Sequence, residues 1–234
     1  MTLLRSLAPL LLGLSTALAA GCVVSPQPSP PDVIFDGARL GLTPSIEALS
    51  SVVGFQAQPG TVTPAGGEVR ITNLDTTDAP SIAKVEADGS FTIAVPGLPG
   101  QTFRFQAKNG DARSAPFDAR VDLSGGDLSS GLTPPSCVAF DPPRWVALDG
   151  AGDARSIVLE NGCASAISIA PPRLRRGLGG FSFSPTGPIE IGPAATATLT
   201  FRAGDGPEVE DVVLLDVTAP SPVRHAVTLT VPDR

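Results

Sequence analysis

Large aromatics are scarce in this sequence: it has no tyrosine and one tryptophan, Trp145, among 234 residues. Binding surfaces usually draw their energy from such side chains, and an aromatic patch here has few candidates beyond Trp145 and ten phenylalanines. A single histidine, His225, argues against a hydrolase triad, in which each role needs its own oriented side chain. Neither a Gly-x-Ser-x-Gly elbow, a phosphate loop nor a Cys/His spacing for zinc occurs. No cofactor is expected. Lysine stands only at 84 and 108 against fourteen arginines, a scarcity that fits codon bias. The formal charge of −7 and the near absence of clustered basic residues exclude a nucleic-acid partner. Long helix-compatible runs are also missing. Twenty-five glycines and twenty-five prolines instead point to short strands joined by turns.

What is present begins with Met1 to Cys22. Arg5 is followed by an apolar or small stretch from Leu7 to Ala20, closing on Leu18-Ala19-Ala20-Gly21-Cys22. Charge, a short apolar run and small residues are the three parts of a secretory signal. The run is too short for a membrane helix, which needs roughly 20 such residues. The last five residues resemble the lipobox of bacterial lipoprotein precursors, with Ala19 where leucine is usual. The resemblance implies a diacylglycerol on the Cys22 thiol, which makes Cys22 the new N-terminus. The rival is ordinary cleavage after an alanine, leaving a thiol at Cys22. No acidic residue follows Cys22, which by the same resemblance implies the outer membrane of a two-membrane envelope.

With residues 1–21 removed, 213 residues remain, carrying 15 basic and 23 acidic side chains. That length suits one large domain or two of about 100 residues. With Cys22 lipidated, Cys137 and Cys163 remain as a pair in a compartment where disulfides persist. The alternative is two buried reduced thiols.

Ser25-Pro26-Gln27-Pro28-Ser29-Pro30-Pro31 favours polyproline II. At about 3.1 Å per residue it makes a stiff spacer roughly 20 Å long. Residues 32–50 carry no firm signal, and 22–49 is assigned to the lipid-anchored tether.

From Val52 the sequence alternates. Val69 and Ile71, then Phe91, Ile93 and Val95, then Phe103, Phe105 and Ala107 each face away from their polar neighbours. Asp88-Gly89 and Asn109-Gly110 give hairpin signals. A run of half-buried strands reads as an antiparallel sandwich over 50–124. It resembles the immunoglobulin-like modules of bacterial surface proteins and the carboxypeptidase-regulatory-like sandwiches. The likeness rests on Gly67-Glu68-Val69-Arg70-Ile71-Thr72-Asn73, Ala87-Asp88-Gly89-Ser90-Phe91 and Gly100-Gln101-Thr102-Phe103. Residues 125–136, rich in Gly, Ser and Pro, read as a linker. From Cys137 a second set of strands runs to the end, with Val212 to Val217 apolar enough to be covered on both faces. Pro142-Pro143, Ser156-Ile157-Val158-Leu159-Glu160-Asn161, Ile191-Gly192-Pro193 and the terminal Val227-Leu229-Val231 resemble the abnormal-spindle/hydin-type sandwich, a relative of the major sperm protein fold. That resemblance implies a seven-stranded, non-catalytic spacer or protein-binding module over 137–234.

The fold class expected is therefore all-β: two tandem immunoglobulin-like antiparallel sandwiches after a signal peptide and a Pro-rich tether. Four local features are weighed between a functional and a plain structural reading. Asn73, Asp75 and Asp78 share one turn and offer oxygens to calcium, but these are also default turn residues. Arg173-Leu174-Arg175-Arg176 reads as a solvated loop, or as a contact for anionic lipid or glycan. Trp145 reads as core rather than ligand platform, and His225 as a solvent-facing strand residue. The function expected is a non-enzymatic envelope lipoprotein with a structural or adhesive role. Its partners would be the membrane, through the anchor, and another envelope protein or glycan. The alternative is a carbohydrate- or peptide-binding accessory module of an envelope or export assembly.

Overall fold

Period-two alternation obliges each strand to bury one face, and Gly- and Pro-rich turns keep the strands short. The structure, a computed structural model, describes residues 32–43, 51–124, 126–130, 137–142, 144–207 and 209–232. The apolar N-terminal run read as a signal, Cys22 and the Pro-rich run lie outside the described residues. Among those described there are twenty-one strands, one 3-10 turn at Gly37–Arg39 and no α-helix. The segment Pro31–Arg234 forms one compact unit.

The first sandwich contains β1 (Ile34–Phe35), β2 (Leu40–Leu42), β3 (Val52–Ala57), β4 (Val62–Thr63), β5 (Glu68–Asn73), β6 (Ser81–Lys84), β7 (Phe91–Pro96), β8 (Thr102–Asn109), β9 (Ala112–Arg113), β10 (Phe117–Val121) and β11 (Leu128–Ser130). One sheet runs β2-β3-β7; the opposing sheet runs β11-β10-β8-β5-β6, with β9 on β8 and a separate β1-β4 pair. Between the sheets lie rings from distant parts of the chain. Phe55 meets Phe103 and Phe105 edge-on at 5.1 and 5.0 Å, and Phe35 stacks on Phe105 at 5.7 Å. Such pairs add about 0.5–1.5 kcal/mol each beyond area burial.

Phe35 explains a difference from the sequence reading. Residues 34–42, assigned to the tether, belong to the sandwich: Phe35 joins the ring cluster, and Leu40–Leu42 pair with Phe55–Ala57. At the other end, Leu128–Ser130, assigned to the linker, pair with Ala119–Val121. The two turn signals also part company. Asn109-Gly110 does close a hairpin, between β8 and β9. Asp88-Gly89 instead carries the chain from β6 in one sheet to β7 in the other. Gly89 has φ +83°, and a Cβ there would lie 2.4 Å from the Val62 carbonyl oxygen. Both the backbone angle and the close approach require glycine.

The second sandwich contains β12 (Val138–Asp141), β13 (Trp145–Ala147), β14 (Ala154–Asn161), β15 (Ile167–Ile169), β16 (Arg173–Leu174), β17 (Phe181–Ser184), β18 (Ile189–Ile191), β19 (Thr196–Ala203), β20 (Glu210–Ala219) and β21 (Val223–Thr230). Its sheets run β12-β14-β19-β17 and β13-β21-β20-β15-β18, with β16 on β20 and β13 parallel to β21. Strand β20 is covered on both faces, as its continuous apolar run requires. Val213, Leu215 and Val217 enter the sandwich core, while Val212 and Leu214 meet Ala226 and Leu74 of the first sandwich.

His225 departs from its expected place. It sits opposite Leu215 and points inward, 1% exposed, with its ring 4.9 Å from that of Phe140 and neither nitrogen hydrogen-bonded. Burial, then the charge of Arg144, pushes its pKa down to about 4, with Asp118 pulling the other way and Arg104 adding to the fall. The folded state thus holds the ring neutral where the unfolded chain, with its value of 6.5, takes up a proton. Stability from this site is present above the unfolded value and is lost as pH falls towards the folded one. Urea denaturation should show a loss of about 2 kcal/mol between pH 7 and 5, and His225→Phe should remove that slope. Replacing both Cys137 and Cys163 by alanine should cost about 3–4 kcal/mol on the chain-entropy account, read from the same denaturation curves.

Candidate functional site

Of the residues singled out from sequence, Cys22 lies outside the described residues. Cys137 and Cys163 form a disulfide, tying β12 to the turn after β14. The same turn is fixed by Asn161, whose side chain donates to the Ile191 and Ser165 carbonyls and accepts from the Cys163 amide. This corner is structural. The chemistry-bearing side chains gather elsewhere, where the two sandwiches face each other.

The Asn/Asp turn and the basic cluster, read separately in the sequence, meet there. Arg175 is 4% exposed. Its Nη1 lies 2.8 Å from the carbonyl oxygens of Thr76 and Asp78 and 3.3 Å from that of Asn73. The turn offered as a calcium site therefore directs its carbonyls at a guanidinium. Its side chains are also engaged: Asp75 accepts from the Thr102 amide at 2.7 Å and from Arg224 at 2.9 Å, and Asn73 accepts from the Asp75 amide. Among the described residues no group of three His, Cys, Asp or Glu side chains is placed to hold a metal ion. The solvated-loop reading of 173–176 is corrected in the same way. Arg175 is buried, and Asp211 accepts from the Arg176 and Gly177 amides at 3.1 and 2.9 Å.

A second charge group lies further along the contact. Arg104, on the outer face of β8, is 2% exposed and donates to both oxygens of Asp118 at 2.7 and 2.9 Å. It also crosses to the second sandwich, donating to Thr228 Oγ1 at 3.0 Å and to the Ala226 carbonyl at 2.8 Å. Arg144 donates to Asp118 from the other side at 2.9 Å. Burial lowers the Arg144 pKa, Asp118 pulls it back, and the like charge of Arg104 adds to the loss. At the start of β20, Glu210 receives Arg113 at 2.8 Å and Arg70 at 3.2 Å, both from the first sandwich. Arg224 spans Asp216 and Asp75 at 2.7 and 2.9 Å. Burial works against its charge, but those two carboxylates outweigh it and hold its pKa above the usual arginine value.

Beyond this contact two grooves open. One, of about 520 Å³, runs over the outer face of the first sandwich between Gly67, Ile82 and Lys84. The other, of about 350 Å³, is walled by the β8–β9 hairpin on one side and by Trp145, Ala147 and Pro232 on the other. Trp145 is half-buried rather than core, and its indole N–H donates to Thr230 Oγ1 at 3.1 Å.

Replacing Asp118 by alanine leaves Arg104 and Arg144 without their carboxylate and should cost about 3–5 kcal/mol. Arg175→Ala strands the turn carbonyls and should cost about 2–3 kcal/mol. Calorimetry on Arg175→Ala should also show a broadened unfolding transition, because the sandwiches are then coupled through fewer contacts.

No protein-family model matches the chain, and no curated protein sequence matches it. Solved structures similar to it include WR4, an MSP family member of Caenorhabditis elegans, at 13% identity over 42% of this chain and 99% of that one, TM-score 0.36. The PapD-like domain 7 of human CEP192 follows at 14% identity over 46% and 94%, TM-score 0.30. The adhesin InvE of Yersinia pseudotuberculosis aligns at 11% identity over 76% and 53%, TM-score 0.28.

Proposed function

We propose that this chain is a non-catalytic binding protein of a bacterial envelope, held at a membrane by a diacylglyceryl group on Cys22. Its two sandwiches then act as one rigid body that presents a surface to another envelope component. The observation that carries this reading is the way the sandwiches are locked together. Arg175 and Arg104 are buried in the partner sandwich's carbonyls and hydroxyl, while Asp118 pairs with Arg104 and Arg144, and Glu210 with Arg113 and Arg70, along the contact. Charged groups spent on fixing the angle between two modules suit a spacer or docking body, for which orientation matters more than turnover.

The non-catalytic part is supported by His225, whose ring packs on Phe140 inside the sandwich, away from any groove. The envelope part is supported by the Cys137–Cys163 disulfide, a bond that persists in oxidising compartments. The anchor rests on Leu18-Ala19-Ala20-Gly21-Cys22, and the outer membrane on the absence of an acidic residue at Val23 and Val24.

Growth with an alkynyl palmitate analogue should tag the wild-type protein, and Cys22→Ser should abolish the tag. An untagged wild type that partitions into the aqueous phase of a detergent extraction would refute the anchor.

A further inference from the structure

We infer that the groove between the β8–β9 hairpin and Trp145, with its extension over the outer face of β5 and β6, is a binding site for an acidic glycan, a saccharide chain bearing carboxylates. The inference does not depend on the anchor. It begins from the register of the sheet. Lys84 pairs with Glu68, Glu68 with Lys108, and Lys108 with Arg113. Residues directly opposite across strands point to the same side. Those four side chains therefore form one row across β6, β5, β8 and β9.

Both lysines of a chain with formal charge −7 stand in this row. They lie two strands apart, about 10 Å at the usual spacing. Where the second sandwich ends, the row emerges into the two grooves, and both have Lys108 in their walls. In the first groove Lys84 and Lys108 stand against Glu68 alone, a basic excess on a chain of formal charge −7 that attracts an anion.

The second component is Trp145. Its indole N–H is committed to Thr230, so the ring is held in one orientation without a ligand. Ala147 and Pro232 continue an apolar wall beside it. A fixed, half-exposed ring next to small apolar groups offers a flat face to the C–H side of a sugar ring at little entropic cost. The third component is the pair of carboxylates, Glu68 in one groove and Asp111 in the other. They disfavour an unbroken run of anions but accept hydrogen bonds from hydroxyl groups. A chain with a hydroxyl on every ring and a carboxylate on some suits lysine, carboxylate and indole together. An acidic peptide satisfies the lysines alone.

The test is titration calorimetry of the full chain in detergent with oligogalacturonate, a neutral glucose oligomer of the same length and polyglutamate. The oligogalacturonate should bind, the other two at least about tenfold more weakly, and Trp145→Ala and Lys84→Glu should each weaken it by about tenfold. Because Trp145→Ala also removes the bond to Thr230, Lys84→Glu, on an exposed edge strand, decides the matter if the tryptophan variant loses thermal stability. Equal binding of polyglutamate, unchanged binding by Lys84→Glu, or no heat with oligogalacturonate at millimolar concentration would each overturn the proposal.

Discussion

A guanidinium removed from water must find acceptors or it unfolds what surrounds it. That constraint governs the contact between the sandwiches. Arg175 leaves the second sandwich and ends among the carbonyls of Thr76 and Asp78, while Arg104 leaves the first and ends at Thr228 and Ala226. Each module thus completes the other's hydrogen bonding. The apolar part of the contact is small, with Leu74, Val212, Leu214 and Ala226 at its centre. Such a patch holds two bodies together without setting their rotation. The ion pairs set it, because a guanidinium fork accepts few orientations of its partners. The net energy of buried pairs is modest, so their main effect here is registry.

The architecture of each sandwich was legible in the sequence because strand periodicity depends on local neighbours. Phe103, Phe105 and Ala107 alternate with Arg104 and Gln106, and the first set is buried as the pattern demands. What the pattern could not reveal was that the second set is buried too. A polar strand face reads the same whether it meets water or a second module with matching acceptors. Val212 to Val217 gave the one advance sign, since an apolar run without alternation needs cover on both sides. Its reading as a doubly covered strand implied a neighbour for its outer face, and the first sandwich is that neighbour.

The site was less legible, for a related reason. The turn at 73–78 and the cluster at 173–176 are each ordinary alone, and a hundred residues separate them. Their match, carbonyls to guanidinium, exists only in three dimensions. His225 misled in another way: read as a solvent-facing strand residue, it is turned inward by the register with Leu215. The boundaries moved because short strands lack periodicity to detect. Two residues at Ile34–Phe35 show no alternation, yet Phe35 anchors them through its rings.

The polar clasp also bears on behaviour when hot. The cost of dehydrating charged groups falls as temperature rises, while the gain from apolar burial levels off. The junction built on Arg104, Arg175 and Glu210 therefore weakens less on warming than the phenylalanine-lined interior does. Heat should loosen each module from within before it parts them, so that they melt together rather than swing open on an intact hinge.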